Sequence, residues 1–370
     1  MDSKQKNIFY TSLVYFIMIL LFLSVRALSS FGIFSFMGEN ANYIMPIIIQ
    51  VGIMFFLPVV LISSLKKQKV KTTFKYFGFK KIGIKAILIS LALGVLVFFL
   101  NIGFSSFFNA LIRFIGYEPR GGTLLTEYPV WLLFVNIGVS ALLPGICEEV
   151  AHRGMLLNGY KELGLKKVII LSAVFFGLIH LNIEQFFYAT IVGVLIVEFA
   201  IVSGNIIPGI IVHFINNALS IFATFAYVNN LPIFNINKTI SSIISGNTFI
   251  AMLTIMMAML IASSLLFYLI KLLFKETALK RFRSVQKSAA SEMIRETYLQ
   301  EVDNSRRAVL GESVQEQKSV NSNRGQSFLL NESFPMKQVV KANKYSKIFI
   351  IASLVLGVVV TIFTFIWGVI

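Results

Sequence analysis

Long apolar runs separated by short polar links set the pattern of this chain. The runs cover 8–25, 43–63, 86–104, 168–181, 186–202, 206–227, 249–274 and 348–370, and another spans 131–160 with a polar patch inside it. A helix needs about 20 predominantly apolar residues to cross the hydrocarbon core of a bilayer. The pattern therefore predicts an all-α fold, a polytopic integral membrane helical bundle of about nine transmembrane helices. The third run continues to 115 as an amphipathic piece, and 116–128, with Pro119, Gly121 and Gly122, reads as a loop. Within the 131–160 run, Pro144-Gly145 predicts a kink, because proline frees a backbone carbonyl that a neighbour or cavity must satisfy.

The polar links carry the orientation. Few basic residues lie between the first two runs, whereas 66–85 holds Lys66, Lys67, Lys69, Lys71, Lys75, Lys80, Lys81 and Lys85. Positive-inside bias places that link and the N-terminus in the cytoplasm, with the C-terminus outside. The basic turn 161–167 and the cluster Lys275, Lys280, Arg281 and Arg283 fit the same side. Three regions follow. Residues 1–274 form a membrane bundle with a core at about 130–225. Residues 275–346, rich in Ser, Gln, Asn and charged side chains, form a cytoplasmic, partly disordered insert with one amphipathic helix at 293–302. Residues 347–370 form a C-terminal transmembrane helix.

Composition changes this picture little. The net charge of +16 would suit nucleic acid in a soluble protein. Here the basic residues sit in the links, and no basic face alternates with stacking aromatics, so no nucleic-acid partner is expected. The single cysteine, Cys147, excludes an intramolecular disulfide framework and a Cys-based zinc site, and reads as a small buried thiol. The first run lacks a small-residue cleavage site and reads as a retained span. Abundant Ile, Lys, Asn and Phe suggest a bacterial plasma membrane.

Candidate chemistry concentrates in 147–154, Cys-Glu-Glu-Val-Ala-His-Arg-Gly. A charged side chain at membrane depth costs roughly 2.5–3.5 kcal/mol on insertion scales, so such residues pair or line a wet cavity. At helical spacing Glu148 shares a face with His152, and Glu149 shares the adjacent one with Arg153. All three histidines of the chain, His152, His180 and His213, lie in three neighbouring apolar segments. Counted from the 161–167 turn, Glu148 and His180 both fall roughly 18–20 Å along antiparallel helices, at one depth. His213 and Asn217, four residues apart, share a face of a third helix.

These residues resemble the CAAX-protease and bacteriocin-processing family of intramembrane endopeptidases, which includes the type II CAAX prenyl endopeptidases. Three motifs carry the resemblance: Glu148, Glu149 and Arg153; Phe176 and His180; His213 and Asn217. It covers about 130–225. One departure is His152, where an aromatic residue is more usual. The resemblance implies that Glu148 and His180 activate a water, that Glu149 with Arg153 supports the site, and that His213 and Asn217 stabilise an oxyanion. It implies a membrane-anchored peptide or protein substrate, prenylated or of bacteriocin type, cleaved within the lipid bilayer.

Two alternatives stay open. Glu149-x-x-His152 has the spacing of carboxylate-bridged metal bundles, and His180 and His213 could complete a shell. A second such motif is absent, as is His-Glu-x-x-His, so the expectation is a glutamate-activated water with no cofactor, a divalent metal being the rival. The other alternative is a non-catalytic scaffold whose polar residues are interhelical glue and whose insert binds a partner protein. Glu198, inside an apolar run, has no role in either reading.

Overall fold

The computed structural model describes residues 1–118, 127–232, 253–254, 256–277 and 340–369. The expected amphipathic helix at 293–302 and most of the 275–346 insert lie outside the described residues. The described chain folds as α1 (Ser3–Ser30), α2 (Ser35–Leu65), α3 (Val70–Tyr76), α4 (Ile84–Phe114), α5 (Val130–Leu163), α6 (Leu165–Leu178), α7 (Ile183–Ser203), α8 (Ile207–Val228), α9 (Met256–Thr277) and α10 (Lys344–Val369). Eight of these helices are long and apolar enough to cross a membrane. The protein is an all-helical, polytopic integral membrane bundle.

Two elements differ from the sequence pattern. The run at 168–181 becomes α6, only 14 residues and about 21 Å long, short of a bilayer core of about 30 Å. It ends at a turn containing His180 and Leu181, where Leu181 takes φ +50°. Asn182 then caps α7, its Oδ1 accepting the Glu184 N–H at 2.8 Å. The second difference is α3, a short helix in the lysine-rich link.

Pro144 does not break α5. It opens a regular turn directly after π-helical turns at Ile137–Leu142, and more π-helical turns follow at Val150–Leu156. The missing proline N–H leaves the Ser140 carbonyl without its i+4 donor. Asn217 of α8 supplies one, donating from Nδ2 at 3.4 Å. A third π-helical stretch, Ile48–Phe56, lies in the middle of α2. Such turns swing side chains out of α register and recur at functional sites.

The core has two main parts. One packs α1, α2, α5 and α6 around Tyr15, Met18, Met54, Met155 and Phe175. The other packs α4, α7, α8 and α9 around Leu93, Val97, Ile196, Phe199 and Leu273. α10 lies against α1, α6 and α7. Glycine permits the close crossing of α5 and α8, because a Cβ on Gly145 would lie 3.2 Å from the Phe214 backbone nitrogen.

The ends of the bundle differ in charge. Asn205 donates to the Lys80 carbonyl at 2.9 Å and Ile206 to that of Gly78 at 3.2 Å. Lys85 approaches Glu276 at 3.9 Å, and the Val340 N–H reaches the Glu162 carbonyl at 2.8 Å. The lysine-rich links thus gather at one end. At the other, Asn229 donates to the Tyr128 carbonyl at 2.9 Å.

Candidate active site

Between the two core halves, α2, α5, α6, α7 and α8 direct polar side chains inward. Glu149 is fully buried. Its Oε1 accepts from Arg153 Nη1 at 2.9 Å and from His213 Nδ1 at 3.1 Å. Arg153, also buried, spends Nη2 on the Gly193 carbonyl of α7 at 3.0 Å. Its guanidinium carbon lies 4.4 Å from the centre of the Phe176 ring. Gly209 leaves room for the carboxylate, since a Cβ there would meet Glu149 Oε2 at 2.9 Å. One i,i+4 ion pair of α5 is therefore extended across two further helices.

Glu148 has a different environment. Its Oε1 accepts from Gln50 Nε2 of α2 at 2.7 Å. Its Oε2 is buried without a hydrogen-bond partner among the described residues, as is Oε1 of Gln50. His213 Nε2 stands 3.9 Å from Glu148 Oε2, so this imidazole lies between the two carboxylates. His180 donates from Nδ1 to the Phe176 carbonyl at 2.8 Å. That bond fixes the tautomer and leaves Nε2 as an acceptor.

Two cavities meet here. One, of about 410 Å³, is lined by Glu148, His180, His213 and Asn217 together with Gln50 and Tyr188. The other, of about 420 Å³, is lined by Glu148, His180 and Gln50 with Arg26, Asn182 and Gln185. Glu148, His180, Gln50 and Gln185 belong to both, so they form the neck between them. Asn217 faces the first cavity in a fixed orientation. Asn216 Nδ2 donates to its Oδ1 at 3.0 Å, and Asn101 Nδ2 approaches Asn216 Oδ1 at 3.4 Å. With one amide proton on the Ser140 carbonyl, Asn217 retains one for a ligand.

Phe176 is the hub of the site. Its ring lies edge-on to His152, His180 and His213, with centroids 5.4, 5.3 and 5.4 Å away. Aromatic pairs favour such edge contacts. His152 lines neither cavity. Its Nδ1 donates to the Glu148 carbonyl at 2.8 Å, and the Tyr15 hydroxyl stands 3.4 Å from Nε2. It is a buried post beneath Glu148, bonded to that residue's backbone and not its carboxylate.

Residues 129–219 match the Rce1-like family model, described as type II CAAX prenyl endopeptidase Rce1-like. That is a protease family. No curated protein and no solved structure matches the chain. The Rce1-like segment contains Glu148, Glu149, Arg153, Phe176, His180, His213 and Asn217. Gln50, Asn101 and Tyr15 reach the site from outside it, and sequence reasoning missed all three. Asn101 sits singly in an apolar run and Tyr15 shares its run with Tyr10, a pattern that also fits packing. Gln50 carried more signal, as the lone amide within the 43–63 run after Asn42 and Tyr43. Asn216 was overlooked beside Asn217. Glu198 stands apart from the site: it lines neither cavity.

Proposed function

We propose that the protein is an intramembrane endopeptidase in which Glu148 and His180 activate a water for attack on a peptide bond of a membrane-associated substrate. One observation carries this reading. Each of the two side chains has one polar atom tied down, Glu148 Oε1 by Gln50 and His180 Nδ1 by the Phe176 carbonyl, and both line the neck between the cavities. Oε2 of Glu148 and Nε2 of His180 remain to accept the two protons of a water.

In the forward step the water oxygen bonds to the carbonyl carbon and its proton passes to Glu148. The carbonyl oxygen becomes an oxyanion, and Asn217 Nδ2 and His213 Nε2 are the donors nearest its place in the first cavity. His213 gives its Nδ1 proton to Glu149, so Nε2 donates only when the ring carries both protons. Buried Glu149 faces the His213 ring as its counter-group, and Arg153 holds it in position. Such a donor is worth about 2.7–4 kcal/mol to the transition state. Collapse breaks the C–N bond, and Glu148 returns its proton to the leaving amine, ending as a carboxylate.

This route is metal-free. Glu149 Oε1 already accepts from a guanidinium and an imidazole, which supports a structural, ion-paired part for this carboxylate. The substrate is a membrane-anchored chain, a prenylated C-terminus or a small processed peptide, entering through the cavities from the bilayer. The test is cleavage of lipidated and unlipidated peptides by purified protein in 18O-labelled water. Label appears in the new carboxylate with wild type and is absent with Glu148→Gln. Normal cleavage by Glu148→Gln would refute the mechanism. Failure of wild type on every peptide, with a stable partner captured by the intact chain, would favour a scaffold.

A further inference from the structure

A chain of three side-chain amides runs along the wall of the first cavity, and its direction is set from one end. The Ser140 carbonyl, deprived of its helical donor by Pro144, can only accept. Asn217 therefore turns Nδ2 toward it, at 3.4 Å, which leaves Asn217 Oδ1 facing Asn216. Asn216 meets that oxygen with Nδ2 at 3.0 Å, so its own Oδ1 faces Asn101 of α4, whose Nδ2 stands 3.4 Å away. Turning any one of the three over would set oxygen against oxygen or nitrogen against nitrogen. Asn101 is left with Oδ1 at the free end of the chain.

That oxygen is buried without a hydrogen-bond partner among the described residues. Asn101 lines the first cavity with Glu148, His180 and Asn217, and it follows the apolar stretch 95–100. A buried carbonyl oxygen without a donor is unfavourable. On the wall of a cavity that admits a peptide, the donor at hand is a backbone N–H, which every residue but proline carries. The other end of the same chain holds the spare Asn217 N–H, so one wall presents an acceptor and a donor to a backbone that offers the complements of both.

We propose that Asn101 is a substrate-binding residue whose Oδ1 accepts the N–H of one peptide unit flanking the scissile bond. This rests on the proteolytic reading and adds what the substrate must present there: an unsubstituted secondary amide beside the bond that is cut. The chain also couples the two contacts. Hydrogen bonds in series polarise one another, so a substrate N–H on Asn101 makes Asn101, Asn216 and then Asn217 better donors in turn. Seating the substrate thereby strengthens the donor that faces the oxyanion.

The test uses the full-length protein and a peptide that the wild type cleaves, remade with an ester in place of each amide in turn except the scissile one. Each replacement deletes a single N–H. One position should lose at least about tenfold in kcat/KM with wild type. In Asn101→Leu the amide peptide should be cleaved correspondingly more slowly, and the ester at that position should cost less than about twofold more. Asn101→Ser, which withdraws the carbonyl and keeps a polar group in place, is the second variant and should show the same collapse of the ester penalty. Asn109 is the control: about two turns further along α4, its Oδ1 is likewise buried without a partner among the described residues, but it lines neither cavity. Asn109→Leu should keep the wild-type penalty. Wild-type cleavage that is indifferent to every ester, or a full penalty retained in both Asn101 variants, would overturn this proposal alone. Absence of cleavage of any peptide by the wild type would overturn the proteolytic reading, and this one with it.

Discussion

Removing Arg153 strands a carboxylate. Both partners of the Glu149–Arg153 pair have side chains at 0% exposure, with a 2.9 Å contact. In Arg153→Met, Glu149 keeps only the His213 Nδ1–H. Breaking a buried pair from one side costs about 3–5 kcal/mol. The hydrogen bond to Gly193 and the face contact with Phe176 are lost as well. Most of the cost is the orphaned charge, so neutralising it should give much of it back. In Glu149→Gln/Arg153→Met the amide oxygen still accepts from His213 and no ion is buried. The double variant should then be more stable than Arg153→Met alone, with a coupling of up to about 3 kcal/mol. Reversible unfolding of the four proteins in one detergent, followed by denaturant titration, measures this cycle. If the double variant is as unstable as the sum of the two singles, Arg153 acts by packing on Phe176, and the charge argument is wrong.

Four further outcomes follow from the geometry. Glu148→Gln should abolish turnover while leaving the unfolding midpoint nearly unchanged, because Gln50 can still donate to its amide oxygen; substantial activity in a defined peptide assay would remove Glu148 as the base. Gln50→Ala should lower kcat by about tenfold or more with little change in KM, since a freed base loses its aim without loss of substrate contacts; a change in KM alone would make Gln50 a substrate contact. Strong chelators should leave activity intact, and elemental analysis of active protein that finds one zinc or iron per chain, lost with His180→Ala, would reverse the metal-free assignment. Reporter fusions after Lys85 and after Ile370 should report cytoplasmic and external positions respectively, because α6 leaves the lysine-rich end and α7 returns to it; a shared side would remove α6 from the helices that cross.

The bundle was legible in the apolar runs because burial in lipid and burial in protein demand the same side chains. The limit showed at α6. A run of apolar residues does not reveal where the chain turns, and His180 proved to lie in that turn, beyond the helix. The clustering of Glu148, Glu149, Arg153 and the histidines was legible through its cost, since charged side chains at membrane depth pair with one another or line a wet cavity. Their partners were not. A count at 100° per residue pairs Glu148 with His152 side chain to side chain, yet the imidazole takes the backbone carbonyl instead. The adjoining turns are π-helical, and regular spacing carries no sign of that. Pro144 was the opposite case. Its missing N–H implied a freed carbonyl, and the Asn217 amide is what reaches it.

Gln50 has a consequence for how far the matched segment can stand alone. The hydrogen bond that aims Glu148 comes from α2, nearly a hundred residues earlier in the chain and outside the Rce1-like segment. Tyr15 of α1 and Asn101 of α4 reach the same group from two more helices outside it. The matched segment is therefore not a portable cassette. Transplanted alone into another bundle, it would bring Glu148, His152 and Asn216 and leave behind the side chains that bond to them. In the first four helices it is three single polar side chains, Gln50, Tyr15 and Asn101, that meet the segment.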